Sequence, residues 1–244
     1  MINATVAAPV ATLWARPDSP RPGVDTAALG PCSSPRSWVD GLDDAGRMYT
    51  GILTQLLHGE PVLIEEVRDG WARVVATAQP AAKLDPRGYP GWLPLDQLTV
   101  RDGAETESAF DPATAVPVAR AWLGVPYVWG GMSPYGIDCS GLIHIAFRQV
   151  GVTLPRDADD QFAVAEPVEA DREQPGDLYF FGRAGGGRSA ITHVGFVTAA
   201  PLPDGRRRML HACGDGGRVV EEFMPASRVA TLVGAGRVRL SPPA

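Results

Sequence analysis

Apolar and polar positions along the first hundred residues fall into short runs separated by turn residues. "ATVAAPVATLWA" (4–15) is rich in β-branched and small apolar residues. "PVLIEEV", "WARVVA" and "YPGWLPL" follow it, punctuated by Gly, Pro and Asp. Short apolar runs closed in this way read as strands, and several in succession predict a small barrel. Between the first run and the others lies "RPDSPRPGVDTAALGPCSSPRSWVDGLDD", heavy in Pro, Gly, Ser and Asp. That composition predicts a long surface insertion near residues 19–48.

The pattern changes after "RDGAETESAFDP", whose polarity predicts a linker over residues 104–111. "TAVPVARAWLG" suits a helix, with Pro117 tolerated in the first turn and Gly124 closing it. "CSGLIHIAFRQVG" is a second helix, with Leu142, Ile145, Ala146 and Phe147 at roughly helical spacing and Gly151 as its stop. "RDADDQFAVA" predicts a third, short helix capped by Asp157. Strand candidates "GDLYFFG", "THVGFVTA", "RRMLHACG" and "RVVEEF" come after it. Helices first and an antiparallel sheet afterwards is the α+β arrangement. "RAGGGRSA" is Gly-rich, but its surroundings do not fit a phosphate-binding loop.

The 244 residues suffice for one large domain or two small ones. With 45% apolar and 20% charged residues the composition is that of a globular protein. A net charge of −6 argues against nucleic acid or an anionic membrane as partner. The N-terminus lacks a basic region followed by a long apolar run, so a cytoplasmic location is expected unless a leader preceded this sequence. Three cysteines, Cys32, Cys139 and Cys213, have no CxxC spacing, which disfavours a disulfide scaffold or a structural zinc site.

Cys139 therefore has two readings. Free cysteines are often inert core residues. At the first turn of a helix, however, the dipole and unpaired N–H groups favour the reactive thiolate. Of the four histidines, His58 and His144 read as structural. His193 lies in "ITHVGFV", where alternation puts it on one face with Gly195 and Val197, and His211 lies in the next strand candidate. Adjacent antiparallel strands could set the two imidazoles side by side. A thiol needs a base to ionise it and reprotonate the leaving amine, and the base needs a third group to fix its tautomer. His211 can accept that hydrogen bond only while neutral. The Cys139 backbone N–H is a natural oxyanion donor, and Tyr127 in "VPYVWGG" a further one. Cys139, His193 and His211 could also be imagined around zinc, but they lack close-paired ligand spacing, and no metal or cofactor is expected.

In this order, "VPYVWGGMSPYGIDCSGLI", "LPRDADDQF", "PGDLYFF", "THVGFV" and "LHACG" resemble the NlpC family of papain-like cysteine peptidases, which cut peptide stems of bacterial cell wall. The resemblance implies a peptidase domain over 112–244, with Cys139 as nucleophile, His193 as base and His211 as the orienting member. Tyr127, Trp129, Asp138 and Ser140 would then form the oxyanion region and site wall. Residues 1–103 look like the bacterial SH3-like domain that often precedes this peptidase, with the 19–48 insertion as a departure.

A subgroup of the family cleaves after γ-D-glutamate in peptides with a free N-terminal L-alanine, and there the barrel helps close the substrate site. The resemblance implies Glu60, Tyr89 and Asp157 as groups that hold the alanine ammonium. Arg156 is suggested by its charge for the glutamate α-carboxylate. An ammonium held at a fixed distance from Cys139 would admit one dipeptide unit between anchor and nucleophile. The expected activity is hydrolysis of the γ-D-glutamyl-L-diamino acid bond of peptidoglycan tripeptides or tetrapeptides, by a monomer acting in murein peptide recycling through a thioester. The alternatives are an exported hydrolase of intact stems and a non-catalytic wall-fragment binding protein.

Overall fold

The computed structural model describes residues 1–100, 115–183 and 188–238. The expected linker at 104–111 and the centre of "RAGGGRSA" lie outside them. The described residues divide into two units, one of 1–100 with Val125–Asp138 and one of 115–124 with the residues from Cys139 onward.

In the first unit, strands β1 (Ile2–Val6), β2 (Val10–Trp14), β3 (Ile52–Leu57), β4 (Pro61–Arg68), β5 (Trp71–Ala76), β6 (Tyr89–Pro94) and β7 (Leu98–Val100) form one antiparallel sheet. Its order is β3-β2-β6-β5-β4-β1-β7. Alternation explains the buried face: Val62 and Ile64, Ala72, Val74 and Ala76, and Tyr89 and Leu93 all enter one core. The first apolar run is two strands rather than one, because Ala7-Ala8-Pro9 breaks the ladder between them. Two short strands, β8 (Met132–Ser133) and β9 (Gly136–Ile137), pair with each other.

The insertion is not a surface loop. It holds helices α1 (Pro35–Asp40) and α2 (Asp44–Arg47), and Trp38, Val39 and Leu42 pack with Trp14, Ile52 and Val128 in a second apolar cluster. Trp38 meets Trp14 edge-on at 6.4 Å. Its indole Nε1–H donates to Asp25 Oδ1 at 2.9 Å, and Arg21 grips the same carboxylate through Nε and Nη2 at 2.9 and 2.8 Å. Burial alone would raise the Asp25 pKa, but the bonds from Arg21 and Trp38 hold it below the ordinary carboxylate value. Gln97 donates to the carbonyls of Ala28 and Gly30, tying the insertion to the sheet unit.

The second unit contains α3 (Ala115–Arg120), α4 (Cys139–Gln149), α5 (Ala158–Val164) and α6 (Ala226–Val229). Its sheet uses β10 (Glu166–Val168), β11 (Leu178–Gly182), β12 (Ile191–Ala199), β13 (Arg208–Cys213), β14 (Arg218–Phe223) and β15 (Leu232–Arg237). The order β10-β15-β11-β12-β13-β14 is antiparallel throughout. α3 stops at Arg120, earlier than its pattern suggests, because the following turns tighten to three-residue hydrogen bonds before Gly124 at φ +84. α4 packs on β12 and β13, with Phe147 stacked on Phe196 at 5.6 Å.

Candidate active site

Nine consecutive residues from Cys139 to Phe147 are buried, and the first charged side chain in α4 is Arg148. A helix covered on all sides belongs in a core, which fixes where its first turn can lie. Its other end is equally defined. Gly151 at φ +87 donates to Arg148 O, and Val152 N–H reaches Phe147 O at 2.9 Å, closing the helix in a Schellman turn. Cys139 thus holds the first helical position, 6% exposed, where backbone N–H groups lack partners within the helix. The preceding Asp138 accepts the Gly130 N–H at 2.8 Å through Oδ2.

On the sheet, β12 carries His193 and β13 carries His211. The rings meet edge-on at 5.0 Å, with His193 Nε2 2.8 Å from His211 Nδ1. Gly195 makes the approach possible. A Cβ there would lie 2.9 Å from His211 Cβ and 2.9 Å from Met209 Cε. Phe181 covers His193 at 5.5 Å, and His211 Nε2 lies 3.2 Å from Glu222 Oε1 on β14.

Burial, then the positive charge of Arg228, pushes the His193 pKa well below the ordinary imidazole value. Burial lowers His211 too, with Arg228 in the same direction and the hydrogen bond to Glu222 opposing. Both rings are neutral at neutral pH, the state in which each offers one donor and one acceptor.

Behind the first turn of α4, Arg156 is 1% exposed and donates Nη1 to Ser140 Oγ at 2.9 Å. Gln161 Nε2 donates to Ser140 O and Pro155 O, and His144 Nδ1 contacts Leu154 O at 2.8 Å. These bonds staple the segment 154–156 to α4. Asp157 stands at the N-cap position of α5 in extended geometry, but its side chain makes no capping bond, so the expected cap is one of position only. The carboxylates of Asp157, Asp159 and Asp160 lie within 4.8 Å of one another.

In the first unit, Glu60 and Tyr89 are 2% and 6% exposed, so neither is surface decoration. Gln79 Nε2 donates to Glu60 Oε2 at 3.1 Å and to Gln55 O, while its carbonyl accepts from Thr54. Gln55 Oε1 accepts the Met132 N–H. Tyr127 is buried and bridges to Ile137, and Trp129 is 39% exposed with its N–H on Arg47 O.

Sequence reasoning put Gly195 on the face of His193 without its role, and missed Glu222, Gln79 and Gln161. Their work lies in cross-strand or cross-segment partners, and only the alternation of "RVVEEF" hints at one of them.

The chain belongs to the NlpC/P60 family of cysteine peptidases, whose model matches residues 124–232. It is 32% identical to the γ-D-glutamyl-L-lysine dipeptidyl-peptidase of Bacillus subtilis, over 85% of this chain and 89% of that one. A Bacillus cereus protein of the same name is 25% identical over 75% of this chain and 77% of its own length. A crystal structure of an NlpC/P60 family protein from Bacillus cereus shares the fold, with a TM-score of 0.85 at 22% identity, covering 96% of this chain and 99% of that one. Among the described residues, no helix is long and apolar enough to cross a membrane.

Proposed function

We propose that the protein hydrolyses the γ-D-glutamyl-L-lysine bond of peptides beginning with a free L-alanine, or the bond to another L-diamino acid at that position. The geometry carrying this reading is the His193 Nε2–His211 Nδ1 contact of 2.8 Å on the sheet against which the Cys139 helix packs. The substrate class is supported by similarity to a dipeptidyl-peptidase of that specificity along most of both chains. A peptidase domain shared alone would not carry it.

In the proposed mechanism, His193 takes the Cys139 thiol proton, and Sγ forms a bond to the γ-carbonyl carbon of D-glutamate. The oxyanion is met by the Cys139 N–H and the Tyr127 hydroxyl, with Trp129, Asp138 and Ser140 as site wall. Collapse breaks the C–N bond, and the leaving amine takes the proton from His193. Water then cleaves the thioester, its proton passing by way of His193 to restore the thiol. His211 holds the base in one tautomer.

Glu60, Tyr89 and Asp157 are the ammonium-binding residues of this proposal, and the Arg156 guanidinium serves the glutamate α-carboxylate. A buried carboxylate such as Glu60 rewards a cationic partner and penalises its absence. We read the seven-stranded sheet as the SH3-like barrel, and the protein as a monomer that works in the cytoplasm on recycled wall peptides. The test compares L-Ala-γ-D-Glu-L-Lys with its N-acetyl form. The acetylated peptide is expected to turn over at least about 100-fold more slowly, as a site built for a polar group rejects an analogue that cannot pair with it. Equal rates would remove the ammonium anchor.

A further inference from the structure

His211 has two ring nitrogens, and each faces a different partner. Nδ1 lies 2.8 Å from His193 Nε2, and Nε2 lies 3.2 Å from Glu222 Oε1. Register accounts for the second contact. His211 stands opposite Val220 and Met209 opposite Glu222, so Glu222 shares the face of His211 and reaches it on the diagonal. The neighbouring Glu221 points the other way, into a two-bond pair with Arg120 on α3.

We propose that Glu222 is a fourth member of the catalytic row, a positioning residue that sets the tautomers of His211 and, through it, of His193. The inference rests on the reading of His193 as the base. A carboxylate only accepts, so His211 Nε2 carries the hydrogen. His211 Nδ1 is then a lone pair and accepts from His193 Nε2–H. His193 is left with its basic lone pair on Nδ1, the nitrogen not engaged by His211. Without Glu222, His211 could place its hydrogen on Nδ1, and His193 would have to turn its own Nε2 into an acceptor. Its Nδ1 would then carry the hydrogen, the wrong state for taking a thiol proton.

The charge adds a second effect. Protonation of His193 during the reaction creates an imidazolium, and a carboxylate at the far end of the row favours it. Among the described residues, the other charges acting on the pair are Arg228 on α6, which disfavours the imidazolium, and Asp215 in the β13–β14 turn, 4.0 Å from Arg228. Glu222 is therefore the anion that touches the row directly.

Ring-nitrogen NMR of the wild-type protein at neutral pH, with kinetics of Glu222→Ala and Glu222→Gln, tests this. His211 is expected to carry its hydrogen on Nε2. Glu222→Ala should lower kcat about tenfold or more with KM little changed, the pattern of a lost transition-state interaction. Glu222→Gln keeps an acceptor and should stay within about threefold of wild type, while its loss of charge moves the acidic limb of the pH–rate profile to lower pH. A wild-type His211 protonated on Nδ1, or a Glu222→Ala enzyme with unchanged kcat and pH profile, overturns the proposal. If Glu222→Ala does not fold, the wild-type spectrum and the Gln variant still decide. Cys139→Ala in the same assay reports separately on the nucleophile, and leaves the tautomer measurement untouched.

Discussion

His144 illustrates how a histidine inside the peptidase unit differs from the pair on its sheet. It is fully buried in α4, and burial, with Arg156 and Arg148 nearby, lowers its pKa from 6.5 to about 3. In the unfolded chain it titrates near its ordinary value, so between those limits the unfolded state binds a proton that the native state does not. Stability then falls as pH drops from about 6.5, by roughly 1.4 kcal/mol per unit for this residue. Denaturant unfolding at pH 7 and pH 5 checks the sign. The loss on acidification should be about 2 kcal/mol smaller in His144→Gln, which does not titrate. An equal loss in both proteins would mean that His144 is protonated in the native state. Cys139, His193 and His211 stood out in the sequence as candidates because each is a rare residue type in a recognisable setting. Gly195 and Glu222 did not, since a missing Cβ and a diagonal carboxylate acquire meaning only once β12, β13 and β14 are in register.

At the scale of elements, β11 to β14 of the peptidase sheet follow their sequence pattern closely, whereas β10 and β15 went unread. In the first unit β3 also went unread, because Thr54 and Gln55 interrupt its alternation, and both are buried as hydrogen-bond partners of Gln79. Polar residues that satisfy one another inside a core look like turn residues in a linear reading. The insertion misled for a related reason. Its Pro, Gly and Ser content suggests a loop, yet Trp38, Val39 and Leu42 are buried with Trp14, Ile52 and Val128, and Trp38 donates to the buried Asp25 carboxylate. Trp38→Ala should therefore destabilise the first unit by about 3–5 kcal/mol, through the cavity it leaves and the buried acceptor it deprives of a donor. Chemical denaturation measures it, and a change within about 0.5 kcal/mol, as expected of a surface site, would return the insertion to that status.

For the whole molecule, the separation between family and specificity matters most. Family membership accounts for a cysteine peptidase, whereas the proposed γ-D-glutamyl specificity rests on likeness to one relative along 85% of the chain. Buried Glu60, in the first unit, is a charged candidate for the proposed specificity. The central claim, however, is that Cys139 is the nucleophile for one bond. Its most direct test is product analysis by mass spectrometry after incubating L-Ala-γ-D-Glu-L-Lys with the wild-type protein and with Cys139→Ala. The wild type should release L-Lys and the dipeptide L-Ala-D-Glu, and the variant should be slower by about a thousandfold or more. Release by Cys139→Ala at the wild-type rate, or cleavage at a different bond, would contradict the account.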